Sequence, residues 1–276
     1  MGHLPEIMRI EVNHHMPTTL AQAFSIEQQI AGGIIGAASW KIARQALKPQ
    51  VEGAEHFTVA KKHLAENGSV ILYANDPLEK KSVPATAKVV EDHLTSLDHL
   101  AVFVSRRQVD KKLGLPNRLQ HYFLIDLWGI SPGVKMIPIT QKKDRERYLD
   151  WAEFNAAAEK TANEFVNAPR GGNVFMVTPG GERSPQLQKA KIGFAALFRA
   201  TKEKAMVMPL AVPNKANKVI AGPPITWKES LEDQERNPGM RLKERLMARL
   251  ARITPPEERG DYAQAALDFR MPPITA

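Results

Sequence analysis

Beyond residue 50 the chain alternates between short apolar runs and longer stretches in which apolar residues recur with helical spacing. The runs have the lengths of strands and lie at residues 69–74, 101–105, 135–140, 173–178 and 205–212. Strands that are separated by helices favour a largely parallel sheet covered on both faces. We therefore expect an α/β fold with a mainly parallel sheet flanked by helices.

The intervening stretches predict the helices of this fold. Their patterns indicate helices over residues 54–66, 83–93, 117–128, 144–167 and 192–204. A last, highly charged helix is predicted over residues 229–253. It carries Arg236, Arg241, Lys243, Arg245 and Arg249 among its basic residues. Such a helix is typical of a solvated face, and binding to a partner is the alternative.

The N-terminal part of the chain predicts a separate helical element. Residues 18–47 read as one or two helices, which Lys48 and Pro49 end. We divide the chain into a helical element at residues 1–48 and an α/β domain at residues 49–276. The apolar run at residues 30–40 is about half the roughly 20 residues that span a bilayer. It predicts either packing on the domain or contact with a membrane surface.

Composition narrows the classes of function. The chain has no cysteine, which excludes disulfides, thiolate metal sites and cysteine nucleophiles. A formal charge of +8 implies an anionic partner: nucleic acid, an acidic membrane or a phosphorylated substrate. Zinc-finger, RNA-binding and helix-turn-helix patterns are missing, which disfavours nucleic acid. With no secretory signal apparent, we expect a cytoplasmic protein, with peripheral attachment to the inner face of the membrane as the alternative.

A glycine turn after the fourth apolar run is the best candidate for a phosphate site. Gly180 and Gly181 allow backbone N–H groups to approach an anion closely. Arg183 can offer a bidentate fork to phosphate oxygens, and Ser184 can add a hydroxyl. The alternative is an ordinary turn followed by a solvated Glu182 and Arg183 pair.

Three groups of residues, taken in order, carry a resemblance to a known family. The first is VEGAE at residues 51–55 with GSVILYAND at 68–76, and the second is MIPIT at 136–140 with Gln141, Lys142 and Lys143. The third is VFMVTPGGERSP at 174–185 with MPLAVP at 208–213. In order and spacing they resemble the successive blocks of the glycerol-3-phosphate and lysophosphatidate acyltransferase superfamily. The resemblance covers about three fifths of the chain.

The resemblance implies transfer of a fatty acyl group in phospholipid biosynthesis. The donor would be acyl-CoA or acyl carrier protein, and the acceptor a glycerol-phosphate or lysophospholipid hydroxyl. It implies no cofactor and no metal. Arg183 fits the family's arginine, whereas Gly180 stands where members commonly have glutamate. Lys142 and Lys143 would supply a second cationic contact, and a solvated helix start is the alternative reading of this pair.

The family's catalytic pair is altered in this chain. The resemblance implies a histidine as general base and an aspartate five positions later that orients it. Asp76 and Lys81 occupy these positions, and they could instead form an ion pair at a helix start that Asp76 caps. A literal histidine and aspartate pair with this spacing occurs at His93 and Asp98, although not after a strand. We therefore expect either an acyltransferase or an inactive homologue that binds lipid or phosphate ligands.

Overall fold

A computed structural model describes most of the chain beyond residue 48. The described residues are 49–76, 82–95, 99–105, 135–139, 173–181, 184–214 and 217–272, with the positions 152–153, 155–156 and 159–160. Those six positions are helical, in agreement with the helix expected over residues 144–167. The N-terminal element at residues 1–48 and the helix expected over 117–128 lie outside the described residues.

The described strands form one seven-stranded sheet in the order β1-β7-β6-β2-β5-β3-β4. Neighbouring strands are parallel except for β6 and β7, so the expected α/β fold with a mainly parallel sheet is confirmed. The strands are β1 (Gln50–Glu52), β2 (Ser69–Ala74), β3 (Leu100–Ser105), β4 (Lys135–Ile139), β5 (Val174–Val177), β6 (Ala205–Ala211) and β7 (Lys218–Ala221). The five predicted strands agree with β2 to β6 within one residue at each end. Strands β1 and β7 were not predicted.

Helices cover both faces of the sheet. They are α1 (Glu55–Ala65), α2 (Ser82–His93), α3 (Ile192–Thr201), α4 (Trp227–Arg236), α5 (Leu242–Ile253) and α6 (Ala263–Asp268). A hydrophobic core lies on each face of the sheet, and the side chains of β2 alternate between the two cores. Val70 and Leu72 pack with α1 and α2, whereas Ile71 and Tyr73 pack with α3 and α5. Every residue of β2 is buried, which explains its uninterrupted apolar sequence.

The charged helix predicted over residues 229–253 is in fact two helices, α4 and α5. The break contains Pro238 and Gly239. Proline has no N–H for the helical ladder and clashes with the preceding turn, so one helix cannot continue through it. At the start of α4, Thr226 and Glu229 each bond the other's backbone N–H in a capping box.

The prediction of a solvated basic face is also wrong for two of its arginines. Arg245 and Arg249 are each only 4% exposed, because α5 packs against the sheet. Arg249 donates to Asp233, which is 1% exposed, at 2.7 Å from Nε to Oδ2. Arg245 donates to the carbonyl oxygens of Met240 and Ser230. These arginines therefore join α5 to α4 inside the protein.

Candidate functional site

The first and third sequence groups meet at one edge of the sheet. Strand β2 lies between β5 and β6 and is parallel to both. The carboxyl ends of parallel strands lie at the same edge, where open α/β sheets commonly bind ligands. Asn75 and Asp76 follow β2, Thr178 follows β5, and Val212 follows β6.

Asn75 fixes the chain where it leaves β2. Its side-chain Nδ2 donates to the carbonyl oxygen of Val212 at 2.8 Å, and its Oδ1 accepts from the Val212 N–H at 2.7 Å. Both polar atoms of the amide are thus used on one backbone position of the neighbouring strand end. This pair of bonds fixes the direction of the chain immediately before Asp76.

The glycine turn lies beside Asp76. Gly181 donates its N–H to the carbonyl oxygen of Thr178 at 2.9 Å, which closes a turn over Pro179 and Gly180. Gly181 has φ of 71°, a conformation that favours glycine. The N–H of Ser184 then donates to the carbonyl oxygen of Asp76 at 3.0 Å. A backbone hydrogen bond therefore joins the segment after β5 to the segment after β2.

A small cleft lies between these segments. Its polar lining includes Asn75, Asp76, Thr178, Gly180 and Ser184, and α5 adds apolar side chains. The cleft offers about 20 Å³ to water-sized groups, enough for a water molecule or one oxygen-bearing group. A larger ligand would extend from the cleft over the outer surface.

The structure brings together part of the predicted site. Asp76, Gly180 and Ser184 line the cleft, and Gly181 completes its turn. The other predicted residues at this site lie outside the described residues: Lys81, Lys142, Lys143 and Arg183. Their roles, and that of Asp76 as a helix cap, remain predictions.

The alternative catalytic pair is described only in part. His93 is the last residue of α2 and stacks on the Phe57 ring, with the ring centroids 5.2 Å apart. It does not belong to the cleft lining. Asp98 lies outside the described residues, so a bond between the two is not tested.

Two buried tyrosines lie near the cleft. Burial raises the pKa of the Tyr73 hydroxyl, which donates to the carbonyl oxygen of Leu246 at 3.1 Å. Burial also raises the pKa of the Tyr262 hydroxyl, which accepts the N–H of Ala190 at 2.9 Å. Both hydroxyls therefore stay protonated at neutral pH and serve as uncharged partners of the backbone.

Several residues of the cleft were not predicted from the sequence. Thr178, Gln186 and Gln188 line it, and Asn75 holds its edge. The sequence did contain a signal for Asn75. It directly follows a buried strand and precedes Asp76, which places its side-chain amide at the edge of the sheet. Gln186 and Gln188 gave no signal, since solvated glutamines in an irregular segment are common.

A scan against protein-family models and a search of curated proteins each find no match to this chain. A function for this chain is therefore proposed from the geometry of the cleft and from the resemblance of the sequence groups.

Proposed function

We propose that this protein is acyltransferase-like and binds a glycerol-phosphate or lysophospholipid acceptor at the cleft between Asp76 and the glycine turn. The observation that carries the proposal is the joining of two sequence-distant groups at the carboxyl ends of β2 and β5. Asp76 and Gly180 line one cleft, and the backbone of Ser184 bonds that of Asp76. The family resemblance supports the donor, which would be acyl-CoA or acyl carrier protein.

The chemistry of the lining suits a phosphorylated acceptor. Within the turn, Gly180 and Gly181 carry no side chain that would keep a ligand from the backbone. The hydroxyl groups of Thr178 and Ser184 can both donate to anionic oxygens. The net charge of +8 favours the approach of such ligands. Arg183, two residues after the turn, adds the cation that the resemblance predicts.

A second candidate function is binding of the ligand without catalysis of acyl transfer. The presence of Asp76 favours this function. An ordinary aspartate has a pKa near 3.9, far below that of histidine, so it is a weak base toward an alcohol. The native protein is therefore expected to transfer acyl groups slowly or not at all. Binding and transfer need separate tests.

Replacing Arg183 by Ala tests the binding half of the proposal. We expect the affinity for sn-glycerol 3-phosphate, measured by calorimetry, to fall about tenfold to a hundredfold, because a charge-assisted contact is lost. Arg199→Ala, an exposed arginine in the last turn of α3, removes the same charge and should leave the affinity nearly unchanged. Equal affinity in Arg183→Ala and the wild type would contradict the site.

Peripheral membrane association is proposed from the positive charge and the apolar run at residues 30–40. Among the described residues, no helix is both long and apolar enough to cross a bilayer. We expect the protein to cosediment with vesicles of anionic lipid. High salt should weaken the association if electrostatic attraction dominates. It should leave the association unchanged if the apolar run inserts into the membrane. Equal sedimentation with anionic and neutral vesicles would count against the proposal.

A further inference from the structure

One wall of the cleft has no regular secondary structure. Residues 184–190 lead from the glycine turn to α3, and Ser184, Gln186, Leu187 and Gln188 line the cleft. Neither helical nor strand hydrogen bonds fix this segment. Contacts with other parts of the chain must therefore set its shape, and we refer to residues 184–190 as the cleft wall.

The cleft wall is bonded along its length to residues 257–262, here termed the C-terminal latch. The N–H of Leu187 donates to the carbonyl oxygen of Glu258 at 2.8 Å, and the N–H of Asp261 donates to that of Leu187 at 3.1 Å. The N–H of Lys189 donates to Asp261 Oδ2 at 3.0 Å. The N–H of Ala190 donates to the Tyr262 hydroxyl at 2.9 Å. Three N–H groups of the cleft wall thus depend on the latch.

The C-terminal latch is itself held in place by burial, by a close backbone contact and by hydrogen bonds. Tyr262 is 6% exposed and belongs to the core formed with α3 and α5. Gly260 has φ of 48°, and a Cβ there would lie 2.3 Å from the carbonyl oxygen of Leu187. The Glu258 carboxylate accepts the N–H of Asn214, whose side chain donates to the carbonyl oxygen of Pro185 at 2.8 Å. The latch therefore approaches the cleft wall more closely than a side chain at residue 260 would permit.

We propose that the C-terminal latch shapes the cleft for its ligand, with Tyr262 and Asp261 as positioning residues that act through the cleft wall. The part concerning the ligand rests on the proposed function. The hydrogen bonds that hold the cleft wall do not depend on the proposed function, because they are made within the protein. The two parts can therefore be tested separately.

Tyr262→Phe is the main test, because it keeps the buried ring and removes the acceptor of the Ala190 N–H. We expect amide exchange at Ala190 to quicken about tenfold or more, since its buried N–H loses its partner. Exchange at Leu187 and Lys189 should quicken to a smaller extent, because their acceptors, Glu258 and Asp261, remain but are held less firmly. The affinity for sn-glycerol 3-phosphate should fall by a similar factor. Asp261→Ala removes an exposed side chain that accepts the N–H of Lys189, so folding should be little affected. This variant should also quicken exchange in the cleft wall and lower the affinity.

Thr201→Val is the matched control. Thr201 is buried at the end of α3 remote from the cleft wall, and its hydroxyl donates to the carbonyl oxygens of Leu197 and Phe198. Its loss should lower global stability without changing exchange in the cleft wall or the affinity. A merely structural role of Tyr262 would make Tyr262→Phe behave like this control.

The outcomes separate the two proposals. Unchanged exchange at the cleft wall in both latch variants would overturn the inference. Quicker exchange with unchanged affinity, in a protein whose wild type binds the probe, would overturn it as well. If the wild type does not bind sn-glycerol 3-phosphate, the proposed function fails, and the exchange measurement alone decides whether the latch holds the wall.

Discussion

Replacing Asp233 by Ala should lower the free energy of unfolding by about 3–5 kcal/mol, because it leaves a buried guanidinium without its counter-ion. Asp233 is 1% exposed, and its Oδ2 lies 2.6 Å from Nη2 of Arg249, which is 4% exposed. Its Oδ1 accepts from Arg236 at 2.9 Å. Arg249 also lies over the Phe269 ring, 5.4 Å from the centroid. Denaturant unfolding measures the effect.

Glu232→Ala is the matched control for Asp233→Ala, since it removes a carboxylate from the neighbouring position of α4. Glu232 lies 3.9 Å from Arg236, and its side chain is 46% exposed. Exposed pairs of this kind contribute about 0.5 kcal/mol or less. If both variants cost the same small amount, the ion pair of Asp233 and Arg249 does not hold α4 to α5.

The double variant Asp76→His with Lys81→Asp should gain acyl-transfer activity over the wild type. It rebuilds the base and the carboxylate that the family resemblance predicts at these positions. General-base assistance is typically worth about a hundredfold to ten-thousandfold in rate. The measurement is product formation from a panel of acyl thioesters with phosphorylated acceptors, followed by mass spectrometry.

The single variant Asp76→His is the control for the double variant. It should gain little, because Lys81 cannot orient an imidazole ring as a carboxylate does. Strong activity of the wild type that is lost on changing His93, with no effect of changing Asp76, would show that Asp76 does not occupy the position of the family's histidine. The catalytic pair would then be His93 and Asp98.

Much of the fold could be predicted from the sequence, because strands buried on both faces leave a strong signal. Strands β2 to β6 are short apolar runs, and helical patterns separate them. Strands β1 and β7 span only three and four residues, too few for a pattern to stand out. The charged sequence of residues 229–253 predicts one helix, whereas Pro238 and Gly239 divide it into α4 and α5.

The candidate site was predictable only where neighbouring strands determine it. Asp76 and Gly180 each follow a buried strand, so a parallel sheet brings them to one edge. The contact between the cleft wall and Tyr262 joins positions 72 residues apart through an irregular segment. The burial of Arg249 depends on which side of α5 packs inward. Neither feature follows from local pattern or composition.

The proposed binding site is best tested by mapping where sn-glycerol 3-phosphate binds to the isotope-labelled wild-type protein with nuclear magnetic resonance. We predict that the largest shift changes occur at the backbone amides of Gly180, Gly181 and Ser184 and at the side-chain amide of Asn75. These groups line or adjoin the cleft at the carboxyl ends of β2 and β5. An absence of shifts at saturating ligand, or shifts confined to residues remote from this edge such as those of α4, would contradict binding at this cleft.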